Sequence, residues 1–246
     1  MMADFRVLRA ATLIAFLAAG CGAGEAAPPP PRRPPELAAP KSEPSPHSPA
    51  AAEQERLAAG EMDACVARLA SLGVEFQMVA VTAENPACTV AMPIQLKRIV
   101  LRGDAARAIE FPARPLVDCR LAEPLALWLE GAVGPILAAG FSSRLTAVRT
   151  GAGYECRNRN RAAAGKISAH AVGLALDISG FELADGRTVP AVSPKNDLAS
   201  ALNSLRAAAC GWFTTVLGPG SDTMHEDHLH VDIEPHGASG RYRICE

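Results

Sequence analysis

The residues best suited to chemistry are crowded near the C-terminus, in residues 225–232, whose sequence is His-Glu-Asp-His-Leu-His-Val-Asp. Three of the six histidines of the chain lie there, interleaved with carboxylates. Neutral imidazole is a common ligand of divalent metals, and Leu229 and Val231 alternate with His228, His230 and Asp232 as in a half-buried strand. We therefore expect both imidazoles on one polar face of a strand, where they could bind a metal ion.

A second stretch, residues 168–178, supplies candidates for the other ligands, because one strand seldom completes a metal site. Its apolar residues Leu174, Leu176 and Ile178 alternate with Gly173, Ala175 and Asp177, which again predicts a half-buried strand. The small residues on the polar face leave room for something to lie above it. His170 precedes this strand and Asp177 lies within it, so both could converge on one ion.

Each candidate also has a purely structural interpretation. A single histidine in a strand is more often a hydrogen-bonded structural residue than a ligand, although two motifs with matching polar faces argue against this here. Asp227 could orient His230 instead of moving a proton. His228 could serve as ligand or base, and the arginines of residues 157–161 could form no more than a soluble loop. His47 and His236 are expected to be solvated.

The remaining pattern predicts an α+β domain with a small mixed or antiparallel sheet and flanking helices. Helical spacing predicts helices from about Glu53 to Gly73, from about Leu121 to Gly140 with an interruption at Pro135, and from Asp197 to Gly211. Strands are expected at residues 74–81, 94–101, 145–149 and 213–217. No repeated βαβ unit is present.

The N-terminus has the features of an export signal. Arg6 and Arg9 precede an apolar run at residues 10–19, which ends in small residues before Cys21. We expect residues 1–21 to be a signal peptide with lipidation at Cys21, or ordinary cleavage nearby. Residues 22–52 are rich in proline and predict a disordered linker, followed by one folded domain at 53–246. The protein would then be periplasmic and anchored to the membrane through lipid on Cys21.

The cysteines support export. Seven are present, and removing Cys21 leaves an even set: Cys65, Cys88, Cys119, Cys156, Cys210 and Cys245. In an exported chain this favours three disulfides, whereas a thiolate zinc site lacks a Cys-x-x-Cys pair. We expect sequential pairing. The net charge of −2 and the absence of a basic stripe with aromatics argue against a nucleic-acid partner.

Two motifs together, Ser168-x-His170-x-x-Gly173-x-Ala175-x-Asp177 and His228-x-His230, resemble those of the LAS group of zinc peptidases. That group includes D-Ala-D-Ala carboxypeptidases, murein endopeptidases and the hedgehog domain. The region from about Cys65 to Cys245 more closely resembles the bacterial extensin-like C-terminal domain family. The segments that carry this second resemblance include Tyr154-x-Cys156-Arg157, Gly180-Phe181-x-Leu183-x-Asp185-Gly186-Arg187 and Thr215-Val-Leu-Gly-Pro-Gly-Ser-Asp222.

The resemblance implies a hedgehog-like or D-Ala-D-Ala-peptidase-like fold and a Zn²⁺ ion bound by His170, Asp177 and His230. It implies that Asp227 is the general base and that His225 stabilises the transition state. Substrate contacts would come from Ser168, Arg157 and His228. The implied function is a peptidase, either carboxypeptidase or endopeptidase, that acts on peptidoglycan stem peptides. The alternative is a non-catalytic zinc protein that binds the cell wall or has a structural role in the envelope.

Overall fold

A computed structural model describes residues 49–104, 106–192 and 199–246. The expected signal peptide, Cys21 and most of the proline-rich segment lie outside these residues. So does Asp197, the expected start of the third helix.

The described residues form an open mixed sheet of ten strands. The strands are β1 (Val74–Met78), β2 (Pro93–Val100), β3 (Ala108–Glu110), β4 (Leu116–Asp118), β5 (Leu145–Thr150), β6 (Ala175–Leu183), β7 (Thr188–Pro190), β8 (Thr215–Leu217), β9 (Leu229–Asp232) and β10 (Ile244–Cys245). Their order is β1-β2-β3-β5-β6-β9-β8-β10, with β4 beside β2 and β7 beside β6. The α+β class is therefore confirmed. The sequence patterns missed β3, β4, β7 and β10, because two or three residues are too few to show a period.

The helices follow the predicted periodicity. They are α1 (Pro49–Ser71), α2 (Cys119–Trp128), α3 (Gly134–Phe141) and α4 (Ala199–Ala209). A π-helical segment, Leu129–Val133, joins α2 to α3 just before Pro135. This confirms the expected interruption, since proline cannot donate the regular backbone hydrogen bond and its ring crowds the preceding turn.

One face of the sheet is covered by these helices, and the core lies between them. Leu176 and Ile178 of β6 and Val231 of β9 point into the same buried cluster as Leu125 and Trp128 of α2. Among the described residues, the helical stretch Cys119–Phe141, made of α2, the π-helical segment and α3, has the length and hydropathy of a membrane span. Because its apolar side chains are buried in this cluster, we interpret it as the core helix. The alternate residues of β6 and β9 are then left for the opposite, polar face.

Three disulfides form, as predicted from the even cysteine count. They are Cys65–Cys119, Cys88–Cys156 and Cys210–Cys245. Only the last agrees with sequential pairing, so the expected pairs Cys65–Cys88 and Cys119–Cys156 are wrong. The reason is packing between elements distant in sequence: α1 lies against α2, and the turn that contains Cys88 lies against the turn that contains His170.

Candidate metal centre

The pairing of β6 with β9 creates the centre. These strands are antiparallel, and their register places Asp177 directly opposite His230. Residues directly opposite each other in an antiparallel pair project to the same face of the sheet. The side-chain oxygen Oδ1 of Asp177 consequently lies 2.8 Å from Nδ1 of His230.

His170 reaches the same point from a short 3₁₀ turn, Ala169–Val172, that leads into β6. Ser168 caps the turn, since its hydroxyl accepts a hydrogen bond from the backbone N–H of His170 at 3.3 Å. Gly173 ends the turn with φ +70°, and a Cβ there would lie 2.8 Å from the backbone nitrogen of Asp118. Only glycine fits this left-handed, crowded position without strain. The turn therefore holds His170 beside the strand that carries Asp177.

The three side chains form a compact triangle. Nε2 of His170 lies 3.2 Å from Nδ1 of His230 and 3.2 Å from Oδ1 of Asp177. Zinc binds nitrogen and oxygen at about 2.0–2.1 Å, so two donors of one tetrahedral zinc ion are about 3.3 Å apart. Two sides of the triangle match this spacing, and the third, 2.8 Å between Asp177 and His230, is shorter. The group is one that could hold a metal ion. The predicted set of His170, Asp177 and His230 is thus brought together.

The second nitrogen of each imidazole has its own partner. Nδ1 of His170 donates to the carbonyl oxygen of Gly153 at 2.7 Å, and Nε2 of His230 donates to Oδ2 of Asp232 at 3.2 Å. Gly153 has φ +81°, and a Cβ there would lie 2.3 Å from the carbonyl oxygen of Leu116. These hydrogen bonds occupy the outward nitrogen of each ring, so that Nε2 of His170 and Nδ1 of His230 are the nitrogens that face the triangle.

The electrostatics of the triangle match a cation site. Burial by itself would raise the pKa of Asp177, but hydrogen bonds and charge from His170 and His230 lower it far below its usual range. Burial likewise opposes a charge on His230, yet the hydrogen bonds with Asp177 and Asp232 raise its pKa to about 9. The surroundings therefore favour a positive charge at this point, which either a proton or a metal ion can supply.

Two further histidines stand at the edge of the triangle. His225 is buried, its Nδ1 lies 2.6 Å from Oδ1 of Asp222, and its ring centre lies 5.4 Å from that of His230. Burial is the main reason that the pKa of His225 is lowered. Nε2 of His228 lies 3.5 Å from Oδ1 of Asp177, while its Nδ1 lies 2.8 Å from Oδ1 of Asp227.

Asp227 has a different environment from the buried ligands. Its side chain is 92% exposed, and its hydrogen bond is with His228. That bond is the main cause of the lowered pKa of Asp227. In this structure Asp227 orients His228, which in turn lies next to Asp177.

The triangle opens into a cleft of about 210 Å³. Of the three expected substrate contacts, Ser168 and Arg157 line the cleft, as does His225, whereas His228 is not among its lining residues. Arg157 is half-buried and its Nε donates to Glu155 at 2.9 Å. Ser168 is buried and its hydroxyl is used in the cap described above.

Several polar residues of the cleft were assigned no role from the sequence, among them Asp232, Thr215 and His236. The alternation at residues 228–232 includes Asp232, for which no role was predicted. Its position two residues after His230, on the same face of the strand, indicates a partner for the His230 ring. His236 is not a solvated terminal residue as expected, because its Nε2 lies 2.6 Å from the Thr215 hydroxyl. The expectation of a half-buried β9 is also wrong, since all four of its residues are buried.

Comparison with known proteins identifies a family. The family described as "Extensin-like protein C-terminus" matches residues 63–246, a span that contains every residue of the triangle and its cleft. No curated protein and no solved structure matches the chain. The likeness to zinc peptidases rests on the two motifs.

Proposed function

This chain belongs to the extensin-like C-terminal family, and from that premise we propose that it is a zinc-dependent peptidase acting on peptidoglycan stem peptides. The observation that carries the proposal is the triangle of His170, Asp177 and His230 at a cleft, with both imidazoles oriented by their second nitrogens. Three protein ligands leave one coordination position free, which is the arrangement of catalytic zinc sites. Structural zinc sites have four protein ligands instead.

The choice of zinc rests on the donors together with the two motifs that resemble those of zinc peptidases, because the donors alone also suit iron(II). Two imidazole nitrogens and one carboxylate oxygen suit zinc, whereas calcium and magnesium prefer sets made of oxygen alone. When bound, zinc polarises a carbonyl oxygen and makes water a stronger acid.

The chain's own residues can supply the proton transfers. Nδ1–H of His225 donates a hydrogen bond to the carboxylate of Asp222. This leaves Nε2 of the neutral imidazole free to accept a proton. Once protonated, the same ring can donate to negative charge that develops on the substrate. Asp227 and His228 form a second carboxylate–imidazole pair beside Asp177, and either member can pass a proton to the leaving amine.

The cleft supports a peptide substrate. Arg157 and Arg159 line the cleft, and a planar guanidinium suits a peptide carboxylate. Ser168 also lines it, and its side chain is buried. The lining includes the apolar residues Leu217 and Ile244, which a substrate side chain can contact.

Export is part of the proposal. Three disulfides form in the described domain, and disulfides persist in oxidising compartments such as the periplasm. The apolar N-terminal run and Cys21 support attachment to the membrane, with the proline-rich segment as a spacer toward the cell wall. A Cys21→Ser variant should then leave the membrane fraction.

The test is cleavage of purified peptidoglycan by the zinc-loaded, disulfide-bonded protein, with released fragments identified by mass spectrometry. We expect stem-peptide fragments that disappear in His170→Ala, because this variant lacks one ligand. Asp227→Asn should retain zinc and lose about 10²–10⁴-fold in turnover if the carboxylate takes part in proton transfer. Glu226→Gln is the matched control, since Glu226 is an exposed carboxylate one residue away and has no role in the proposal.

The exposure of Asp227 favours a second candidate, a zinc-containing protein that binds the cell wall without cleaving it. A general base works best when it is held close to the reacting water, whereas the Asp227 side chain is 92% exposed. If the fully zinc-loaded protein releases no fragment but sediments with purified peptidoglycan, this second function replaces the first.

A further inference from the structure

Asp232 is a buried carboxylate for which the proposed reaction has no use. It lies on β9 two residues after His230 and is 4% exposed. Among the described residues, its partner at ion-pair distance is the imidazole of His230, at 3.2 Å, and not a lysine or arginine. Burying a carboxylate without a permanent cation costs free energy, so this placement needs a compensating role.

Both oxygens of Asp232 are held by donors on neighbouring strands and turns. Oδ1 accepts from the backbone N–H of Glu234 at 2.9 Å and from the Thr214 hydroxyl at 3.3 Å. Burial opposes a charge on Asp232, but hydrogen bonds from His230 first and then from Thr215 lower its pKa. The remaining oxygen, Oδ2, is thereby fixed in the direction of His230.

The strand geometry explains why this carboxylate acts on one ring nitrogen alone. His230 and Asp232 project to the same face of β9, as residues two apart in a strand do. The ring of His230 therefore spans two carboxylates, with Nδ1 2.8 Å from Asp177 across the strand pair and Nε2 3.2 Å from Asp232 along the strand.

We propose that Asp232 is the positioning residue of the metal centre. It accepts the Nε2–H of His230, fixes the tautomer with the lone pair on Nδ1, and makes that nitrogen a stronger electron-pair donor. Asp232 contacts neither the metal nor the substrate in this role. The inference rests on the metal binding in the proposed function and does not depend on peptidase activity.

The test measures how fast zinc leaves the full-length protein for an excess of chelator at neutral pH. Loss of such a partner typically weakens metal binding about 10–100-fold, so we expect zinc to leave Asp232→Asn faster by about that factor. Glu234→Gln is the matched control, because it makes the same change of charge two residues further along the chain. The carboxylate of Glu234 pairs with Arg159 and Lys166 and not with His230. Its dissociation rate should stay close to that of the wild type.

Two results of this comparison would overturn the inference. One is an unchanged rate in Asp232→Asn. The other is an equal acceleration in both variants, because that would reveal a general effect of negative charge in the cleft.

A second measurement uses only the wild-type protein, in case Asp232→Asn does not fold. Histidine ¹⁵N NMR of the zinc-loaded protein should show His230 bound through Nδ1 with a proton on Nε2, and His170 with the opposite arrangement. Coordination of His230 through Nε2 would contradict the inference. If zinc binds as expected while no peptide is cleaved, the peptidase proposal fails and the role of Asp232 stands.

Discussion

Zinc binding should release about one proton per ion at pH 7, and zinc affinity should rise about tenfold per pH unit from pH 7 to about 9. His230 is the group whose protonation makes zinc affinity depend on pH. Its neighbours Asp177 and Asp232 raise its pKa to about 9 in the metal-free protein, despite burial. At pH 7 the ring is therefore protonated, and the proton must leave before Nδ1 can bind a metal.

The size and sign of the effect follow from this pKa. A difference of about two pH units between pH 7 and the pKa corresponds to about 2.7 kcal/mol, or about 100-fold in affinity. Because the pKa of the metal-free state is raised, protonation competes with zinc below about pH 9, and affinity increases as pH rises through this range. Above it the competition ends, and the pH dependence due to His230 should level off.

Calorimetry at pH 7 in two buffers with different enthalpies of protonation would count the released protons. Competition with a chromophoric chelator across the same pH range would give the affinities. Asp232→Asn serves as the comparison, because it removes one of the two carboxylates that raise the pKa and should move the pH dependence to lower pH. An affinity that does not change between pH 7 and 9, or a proton count near zero, would refute the reasoning.

Two further predictions concern stability. Replacing both Cys88 and Cys156 by serine removes a cross-link between residues that are 68 positions apart in the sequence. Because the unfolded chain is then less restricted, the free energy of unfolding should fall by about 4.4 kcal/mol. A chemical denaturation experiment in which this free energy does not fall would contradict the prediction. Gly173→Ala should destabilise the protein by more than the roughly 1–2 kcal/mol of a left-handed residue, because its Cβ would also lie 2.8 Å from the nitrogen of Asp118. Gly186→Ala is the control, since Gly186 also has a positive φ, +86°, but open space around the added Cβ. Equal decreases in melting temperature for the two variants would show that the close approach of the Cβ at position 173 to Asp118 has no energetic cost.

The local elements could be predicted because their signals are short in range. The alternation around Leu176 and Val231 gave β6 and β9, and the helical spacing through Cys65 and Leu69 gave α1, whose residues there are buried as expected. Ala58, which continues the same helical spacing toward the N-terminus, is nevertheless exposed. Periodicity reports which residues share a face and leaves open how far a partner covers that face.

The sequence by itself determined which residues could bind a metal, because Asp177 and His230 fall on the polar side of alternating stretches and His170 directly precedes one of them. The cysteine count similarly determined the number of disulfides. Tertiary structure alone decided that Asp177 stands opposite His230, that Gly153 and Asp232 orient the two imidazoles, and that α1 brings Cys65 to Cys119. The physical reason is that strand register and helix packing depend on burying apolar faces that are far apart in the chain. A spacing within one segment cannot specify which other segment will meet it.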